Sequence, residues 1–238
     1  MRRLSQVVFV LSSVCFGAPA VGSPISVGGF TFPDGEAAFA DDALIVSGVI
    51  TGADTEGVRR ILVGSNIADS FNTGDSGGGI VEVRFLDNLI LNGPGTDLVI
   101  FELSGDKPTG TPDPREVFGF SAWVSGSFTP FVTMTPIATG YPDPADGSLD
   151  LFKIEVDLSN FGISPVGFTD RIRLHIYNSN LGSKSADLTA LGALHSQPVP
   201  EPSSSLLAAL GILILAVSRS QSKRLLGKNE GRARRGHA

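Results

Sequence analysis

Three carboxylates have the residue types of an oxygen-ligand metal site. Asp97 and Glu102 flank the apolar run at residues 98–101, and Asp187 opens the last apolar run of the central region. If both runs form strands, the three side chains are expected to converge at one rim of the fold, where their oxygens would suit Ca²⁺. The alternative is that Asp97 caps a turn and that Glu102 is solvated or paired with an arginine.

The acidic residues admit two further interpretations. Asp97 and Glu102 could be the paired carboxylates of a glycoside hydrolase, which would require them to face each other across a cleft about 5 to 10 Å wide. A second acidic set, Asp143, Asp146 and Asp150, lies in a Pro- and Gly-rich stretch and lacks the spacing of an EF-hand.

A polar strip is predicted along one strand face. Arg171, Arg173, His175 and Tyr177 alternate with apolar residues and therefore share a face, where they could hydrogen-bond a sugar or an anionic polysaccharide. Trp123 could stack on a sugar ring or fill a secondary cluster. The competing interpretation of the strip is ordinary alternation with solvent.

The sequence GDSGG at residues 74–78 resembles the nucleophile segment of serine hydrolases. The three histidines, at 175, 195 and 237, all follow it, whereas a chymotrypsin-like order needs a histidine before the serine. A nucleophile elbow needs a helix after the serine, but the next residues have a strand pattern. The pattern therefore predicts a Gly-rich turn that leads into a strand, and we expect no enzymatic activity.

The elements that must position these residues are strands. Alternating residues at 81–85, 152–156 and 171–176 predict antiparallel strands with one wet face, and the run at 98–101 predicts a central strand. Turn-forming clusters separate the runs, and no segment of the body sustains a helical period. Residues 21–198 are predicted to be all-β, a single β-sandwich with few and short helices.

Charge is segregated along the chain. Residues 23–198 carry 22 acidic and 9 basic side chains, whereas residues 199–238 carry 7 basic and 2 acidic ones. An acidic body is not attracted to a phosphate backbone, which excludes nucleic acid as a partner. The single cysteine, Cys15, excludes a disulfide framework and cysteine-based zinc sites, so no cofactor other than calcium is expected.

Residues 1–20 have the parts of a secretory signal peptide. Arginines follow Met1, an apolar stretch at residues 7–16 is too short to span a bilayer, and Ala18-Pro19-Ala20 is a small-residue cleavage site. We expect cleavage after Ala20, with Ser23 as the alternative, and export of the remaining chain.

Residues 199–224 have three parts in a fixed order: Val199, Pro200, Glu201 and Pro202; an apolar run at 206–217; and Arg219, Lys223 and Arg224. As a helix, the run is about 18 Å long against roughly 30 Å of hydrocarbon, which predicts a marginal and temporary transmembrane anchor. The positive-inside rule leaves the basic tail at residues 225–238 in the cytoplasm and the body outside.

This order of parts resembles the PEP-CTERM sorting signal. The resemblance implies an exosortase as the processing partner, and sorting to the surface of Gram-negative bacteria, often alongside exopolysaccharide production. The tail after Arg224 is longer than such proteins usually keep. An ordinary C-terminal membrane anchor is the alternative.

The body also resembles a family of secreted bacterial β-sandwich proteins, many of which carry PEP-CTERM signals. The similar stretches lie between Gly77 and Leu194 and include GGGIVEVRF, GPGTDLVIFE and IRLHIYNSNLGSKSADLTALGAL. The resemblance implies a fold like a jelly roll or a galactose-binding domain, with no activity established across the family. Its last motif usually has two acidic positions, and here they are Asp187 and Thr189, so one is missing.

Together these patterns predict an exported, surface-sorted structural or binding protein of the bacterial envelope or exopolysaccharide matrix. A secreted carbohydrate-active hydrolase with paired carboxylates is the alternative.

Overall fold

The computed structural model describes residues 22–50, 55–70, 78–103, 117–142, 150–177 and 187–199. They belong to one compact unit, Ala20–Val199. The predicted signal peptide, the predicted sorting helix and the basic tail lie outside the described residues. Within these ranges, no helix has both the length and the hydropathy needed to cross a bilayer.

The described residues form fifteen strands, one α-helix and two 3₁₀ helices. The strands are β1 (Ile25–Val27), β2 (Phe30–Phe32), β3 (Asp42–Gly48), β4 (Gly79–Arg84), β5 (Asn88–Leu91), β6 (Leu98–Leu103), β7 (Phe118–Val124), β8 (Ser127–Phe128), β9 (Val132–Met134), β10 (Ile137–Pro142), β11 (Asp150–Val156), β12 (Phe168–Thr169), β13 (Arg171–Ile176), β14 (Leu188–Ala193) and β15 (Ser196–Pro198). The helix α1 is Thr55–Leu62, and the 3₁₀ helices are Gly35–Ala38 and Leu158–Phe161.

Antiparallel pairing joins these strands into sheets. The largest has the order β3-β4-β13-β7-β8, with β9 also paired to β7, and the second has the order β10-β11-β6-β14. A three-stranded sheet has the order β12-β5-β15, and β1 pairs with β2 as a hairpin. The predicted all-β class is confirmed.

One hydrophobic cluster lies between the two larger sheets. The six-stranded sheet contributes Val81, Val83, Phe118, Phe120, Ala122, Ile172, Leu174 and Ile176, and the four-stranded sheet contributes Leu98, Ile100, Ile154, Val156, Leu188, Leu191 and Ala193. Because both sheets send buried side chains into the same cluster, they pack face to face.

The central strand predicted at residues 98–101 is confirmed. β6 lies between β11 and β14, and each of its residues is buried. Its second face, with Val99 and Phe101, packs in another cluster against Phe32 and Phe39, whose ring centroids are 4.6 Å apart. The strand is therefore apolar on both faces because it is covered on both faces.

The other strand predictions are confirmed with one exception. β11 and β13 alternate between buried and more exposed residues as expected. In β4, however, Glu82 was expected on a wet face and is only 4% exposed. The GDSGG stretch lies outside the described residues except for Gly78, and β4 begins at Gly79, as expected for a turn that leads into a strand.

The sequence pattern did not locate helix α1. Its eight residues bury Val58, Ile61 and Leu62 in the main cluster. Two turns are too short to show a sustained helical period, which is why the pattern predicted only that helices would be short.

Candidate functional site

The three carboxylates that were expected to meet at one rim do not meet. Asp97 directly precedes β6 and Glu102 lies near the other end of that strand, so about 17 Å of extended chain separates them. Asp187 lies on the Glu102 side, because its carbonyl accepts a hydrogen bond from the Leu103 N–H at 2.9 Å. The predicted convergence of all three residues is therefore wrong.

The described residues contain no group of three or more His, Cys, Asp or Glu side chains placed to hold a metal ion. Of the second acidic set, Asp143 and Asp146 lie outside the described residues, and Asp150 is the first residue of β11. Asp97 and Glu102 are both fully buried, so they do not stand on opposite walls of a cleft.

Asp97 hydrogen-bonds to two turns and one 3₁₀ helix. Its Oδ1 accepts a hydrogen bond from the Gly93 N–H at 2.7 Å and lies 2.9 Å from His195 Nδ1, and its Oδ2 accepts from the Leu158 N–H at 2.8 Å. The turn before β6, the 3₁₀ helix after β11 and the turn between β14 and β15 therefore share one buried carboxylate. Asp97 therefore caps a turn, as the alternative to a metal site predicted, and it also contacts a histidine.

His195 completes this arrangement from the surface side. Its side chain is 34% exposed, and its ring packs so closely on Gly93 that a Cβ there would overlap it. A buried aspartate that orients a histidine is also how many enzymes hold a general base. Here the hydrogen bonds of Asp97 join His195 to the Gly93 and Leu158 backbone, which gives the pair a structural role.

The outer face of the six-stranded sheet, defined here by Trp123, Arg171, Arg173, His175 and Tyr177, gathers the side chains of the predicted polar strip. β13 lies between β4 and β7 in this sheet. Arg173 pairs with Ser121 of β7, so Arg171 lies opposite Trp123. The five side chains lie together on this face.

A buried glutamate organises the charges of the outer face. The Arg173 guanidinium donates to Glu82 Oε2 at 2.8 and 3.1 Å, and Arg84 donates to Oε1 at 2.9 Å. Burial alone would raise the pKa of Glu82, but the hydrogen bonds from Arg173 and Arg84 hold it below its usual value. These pairs explain why Glu82 of β4 is buried instead of solvated.

Aromatic rings cover both arginines of β13. The Arg173 guanidinium lies 3.8 Å from the centroid of the Phe128 ring, and that of Arg171 lies 5.0 Å from the Trp123 ring. Trp123 and Phe128 pack edge to face with centroids 4.8 Å apart. Trp123 therefore fills a secondary cluster, which was one of its two predicted roles.

The other end of the strip is also packed. The His175 ring lies 4.6 Å from the Tyr177 ring and 5.3 Å from the Phe131 ring. Burial lowers the pKa of His175. Gly119 lies beneath this group, and a Cβ there would be 2.9 Å from the Tyr177 hydroxyl oxygen. The close packing explains why β7 has a glycine at this position.

An open cleft of about 520 Å³ lies beside Trp123. The turn at Ser125 and Gly126 forms one wall, and the segment at residues 162–170 forms another. Val166 and Phe168 in that segment are 88% and 57% exposed. A second cleft, of about 400 Å³, meets the first at Val166.

Two residues of this cleft have strained backbone. Ser125 has φ 50° and Val166 has φ 59°. A β-branched residue in the left-handed region is uncommon and costs conformational energy, which the surrounding structure must offset. Sequence reasoning named Trp123 but missed Val166 and Phe168, because the exposure of an apolar residue in a short loop has no periodic signal.

The last described strand leads directly into the segment 199–224. β15 pairs with β5 in the register Ser196↔Ile90, Gln197↔Leu89 and Pro198↔Asn88. The Val199 N–H then donates to the Asp87 carbonyl at 2.7 Å. The sequence did not predict this strand, since three residues that include a proline show no alternation.

Asp97→Asn should destabilise the fold by about 3 kcal/mol, because an amide nitrogen in place of one oxygen would leave a buried backbone N–H without an acceptor. Urea denaturation of the protein measures this change. Asp69→Asn, at an exposed position, is the control and should leave the midpoint unchanged. An equal effect of both substitutions would contradict the role of Asp97.

His175 should make stability depend on pH. Since its pKa is lowered in the folded state, the unfolded chain binds a proton first, and stability should fall as the pH drops below about 6.5. His175→Gln should reduce the loss of unfolding free energy between pH 7.5 and pH 5, measured by urea denaturation. The same loss in both proteins would refute the prediction.

Comparison with known families identifies the C-terminal segment. The family model of the PEP-CTERM protein-sorting motif matches residues 198–220. The match includes Val199–Pro202 and Arg219, whereas Lys223 and Arg224 lie beyond it. No curated protein and no solved structure matches the chain. The motif indicates an exported protein that is targeted to an exosortase, and residues 198–220 of this chain carry that PEP-CTERM sorting motif.

Proposed function

We propose that the protein is a non-enzymatic structural or binding module of the bacterial envelope or exopolysaccharide matrix. An exosortase processes it at the PEP-CTERM motif, after the segment at residues 206–217 has held it temporarily in the membrane. Arg219, Lys223 and Arg224 stay on the cytoplasmic side, and the processed body reaches the cell surface or the medium.

The observation that carries this proposal is the direct succession of a folded β body and a sorting motif. The match begins at residue 198, the last residue of β15. The acidic balance of the body also suits an exported protein that does not bind nucleic acid. The body would have a fold like a jelly roll or a galactose-binding domain.

The body would act by binding polysaccharide. The cleft beside Trp123 supports it, because an exposed aromatic ring, Phe168, and an exposed aliphatic side chain, Val166, lie with the polar residues Ser125, Ser164 and Asp170 around the same opening. Sugar rings bind to such mixtures of apolar faces and hydrogen-bonding groups. The outer-face arginines contribute less, since Arg171 is paired with Asp170 and Arg173 with Glu82.

The hydrolase alternative has no such support. Asp97 and Glu102, which it needs on facing walls, are buried at opposite ends of β6. Calcium binding by these two residues with Asp187 lacks the common site it would need.

Replacing Pro200-Glu201-Pro202 with three alanines should prevent maturation, because the processing enzyme loses its recognition sequence. An immunoblot of membrane and extracellular fractions should then show the unprocessed form in the membrane. Pro112-Asp113-Pro114 has the same chemistry in the body, and its replacement with alanines is the matched control. Normal maturation of the first variant would refute the sorting role.

Phe168→Ala should weaken retention of the processed protein on exopolysaccharide from its host by about twofold to tenfold, because a ring contact with the sugar is lost. Affinity electrophoresis measures the retention. Tyr141→Ala, which removes an aromatic ring of similar exposure from β10, is the control. Equal retention of all three proteins would contradict polysaccharide binding in this cleft.

A further inference from the structure

The folded body and the sorting motif share residues. Pro198 and Val199 belong to the matched motif, yet Pro198 pairs with Asn88 and the Val199 N–H donates to the Asp87 carbonyl. Pro200 and Pro202 have no amide hydrogen, so neither can donate a backbone hydrogen bond to this ladder. The last two described residues, Pro198 and Val199, are therefore both paired in the fold and part of the matched motif.

The tether to the membrane is short. Six residues, 200–205, separate Val199 from the apolar run that begins at Leu206. Fully extended, this connection spans at most about 25 Å. A compact unit of this size is about 40 Å across. While the anchor holds, Val199 therefore stays within about 25 Å of the start of the apolar run, less than the width of the body.

The turn next to Val199 has a fixed local structure. Leu86 and Asp87 form the turn before β5, and Asp41 Oδ2 accepts hydrogen bonds from their N–H groups at 2.6 and 3.3 Å. Leu86 is 61% exposed. Burial and the neighbouring charge of Asp41 raise the pKa of Asp87. We call Leu86, Asp87 and Val199 the exit rim.

We propose that the exosortase docks on the exit rim while it holds the Pro-Glu-Pro sequence, so that the fold and the peptide are recognised together. This inference rests on the proposed function. An enzyme that encloses Pro200 to Pro202 reaches within one residue of Val199, and Val199 is bound to the same turn that presents Leu86. The exposed side chain of Leu86, next to Asp87 in the turn to which Val199 is bonded, supplies an apolar contact for the enzyme.

A spacer tests the inference in the full chain. About twelve Gly and Ser residues inserted between Val199 and Pro200 keep both the rim and the motif but uncouple them. Processing should slow about tenfold, because the effective concentration of the exit rim at the enzyme falls. Pulse-chase labelling in cells that contain the exosortase measures the rate. The same spacer between Asp146 and Gly147 is the control and should leave the rate unchanged.

A substitution on the exit rim gives a second measurement. Leu86→Glu should slow processing, whereas Ile137→Glu, at a residue of similar exposure in another sheet, should not. Combining Leu86→Glu with the spacer should slow processing no more than the spacer alone, since the rim contact is already lost. Circular dichroism should show the same fold in all variants.

Two results would overturn the inference. Maturation of the spacer variant at the original rate or faster would mean that the enzyme recognises the peptide alone. Slowing by Leu86→Glu without slowing by the spacer would point to contact of the rim with lipid instead of enzyme. In either case, arrest of the variant with alanines at residues 200–202 would keep the proposed function, and its normal maturation would refute that function separately.

Discussion

The hydrogen bonds of the buried Asp97 carboxylate hold the segments from which the last described strand starts. The carboxylate holds the turn before β6, the 3₁₀ helix after β11 and, through His195, the turn that precedes β15. Val199 directly follows β15, an edge strand of the three-stranded sheet. The turn from which β15 starts is therefore held by a hydrogen bond to one aspartate in the interior. The oxygens of Asp97 could have been metal ligands by residue type, but in the fold they accept backbone hydrogen bonds.

The outer face shows how the body manages charge. Glu82 is nearly inaccessible and would be costly to bury alone, but Arg84 and Arg173 pair with it, and the Phe128 ring covers Arg173 in turn. The open cleft beside Trp123 lies at the border of this packed region, where apolar side chains stay exposed.

Periodicity in the sequence predicted the strands that have one or two apolar faces, including β6, β11 and β13, because burial imposes that period directly. The order of proline, apolar and basic residues predicted the sorting motif. The convergence of Asp97, Glu102 and Asp187 was wrong because residues that flank one strand lie at its opposite ends. Glu82 could not be assigned, since its burial depends on Arg173, which is distant in sequence. Helix α1 and β15 were too short to carry a pattern.

β15 also decides how the body would respond to force. It is an edge strand of three residues, and its proline can donate no amide hydrogen. Tension on the tail would therefore load the Val199–Asp87 bond first and then the few pairs behind it, one after another. The pairs between β14 and β6 come later in that order, because β14 precedes β15 along the chain.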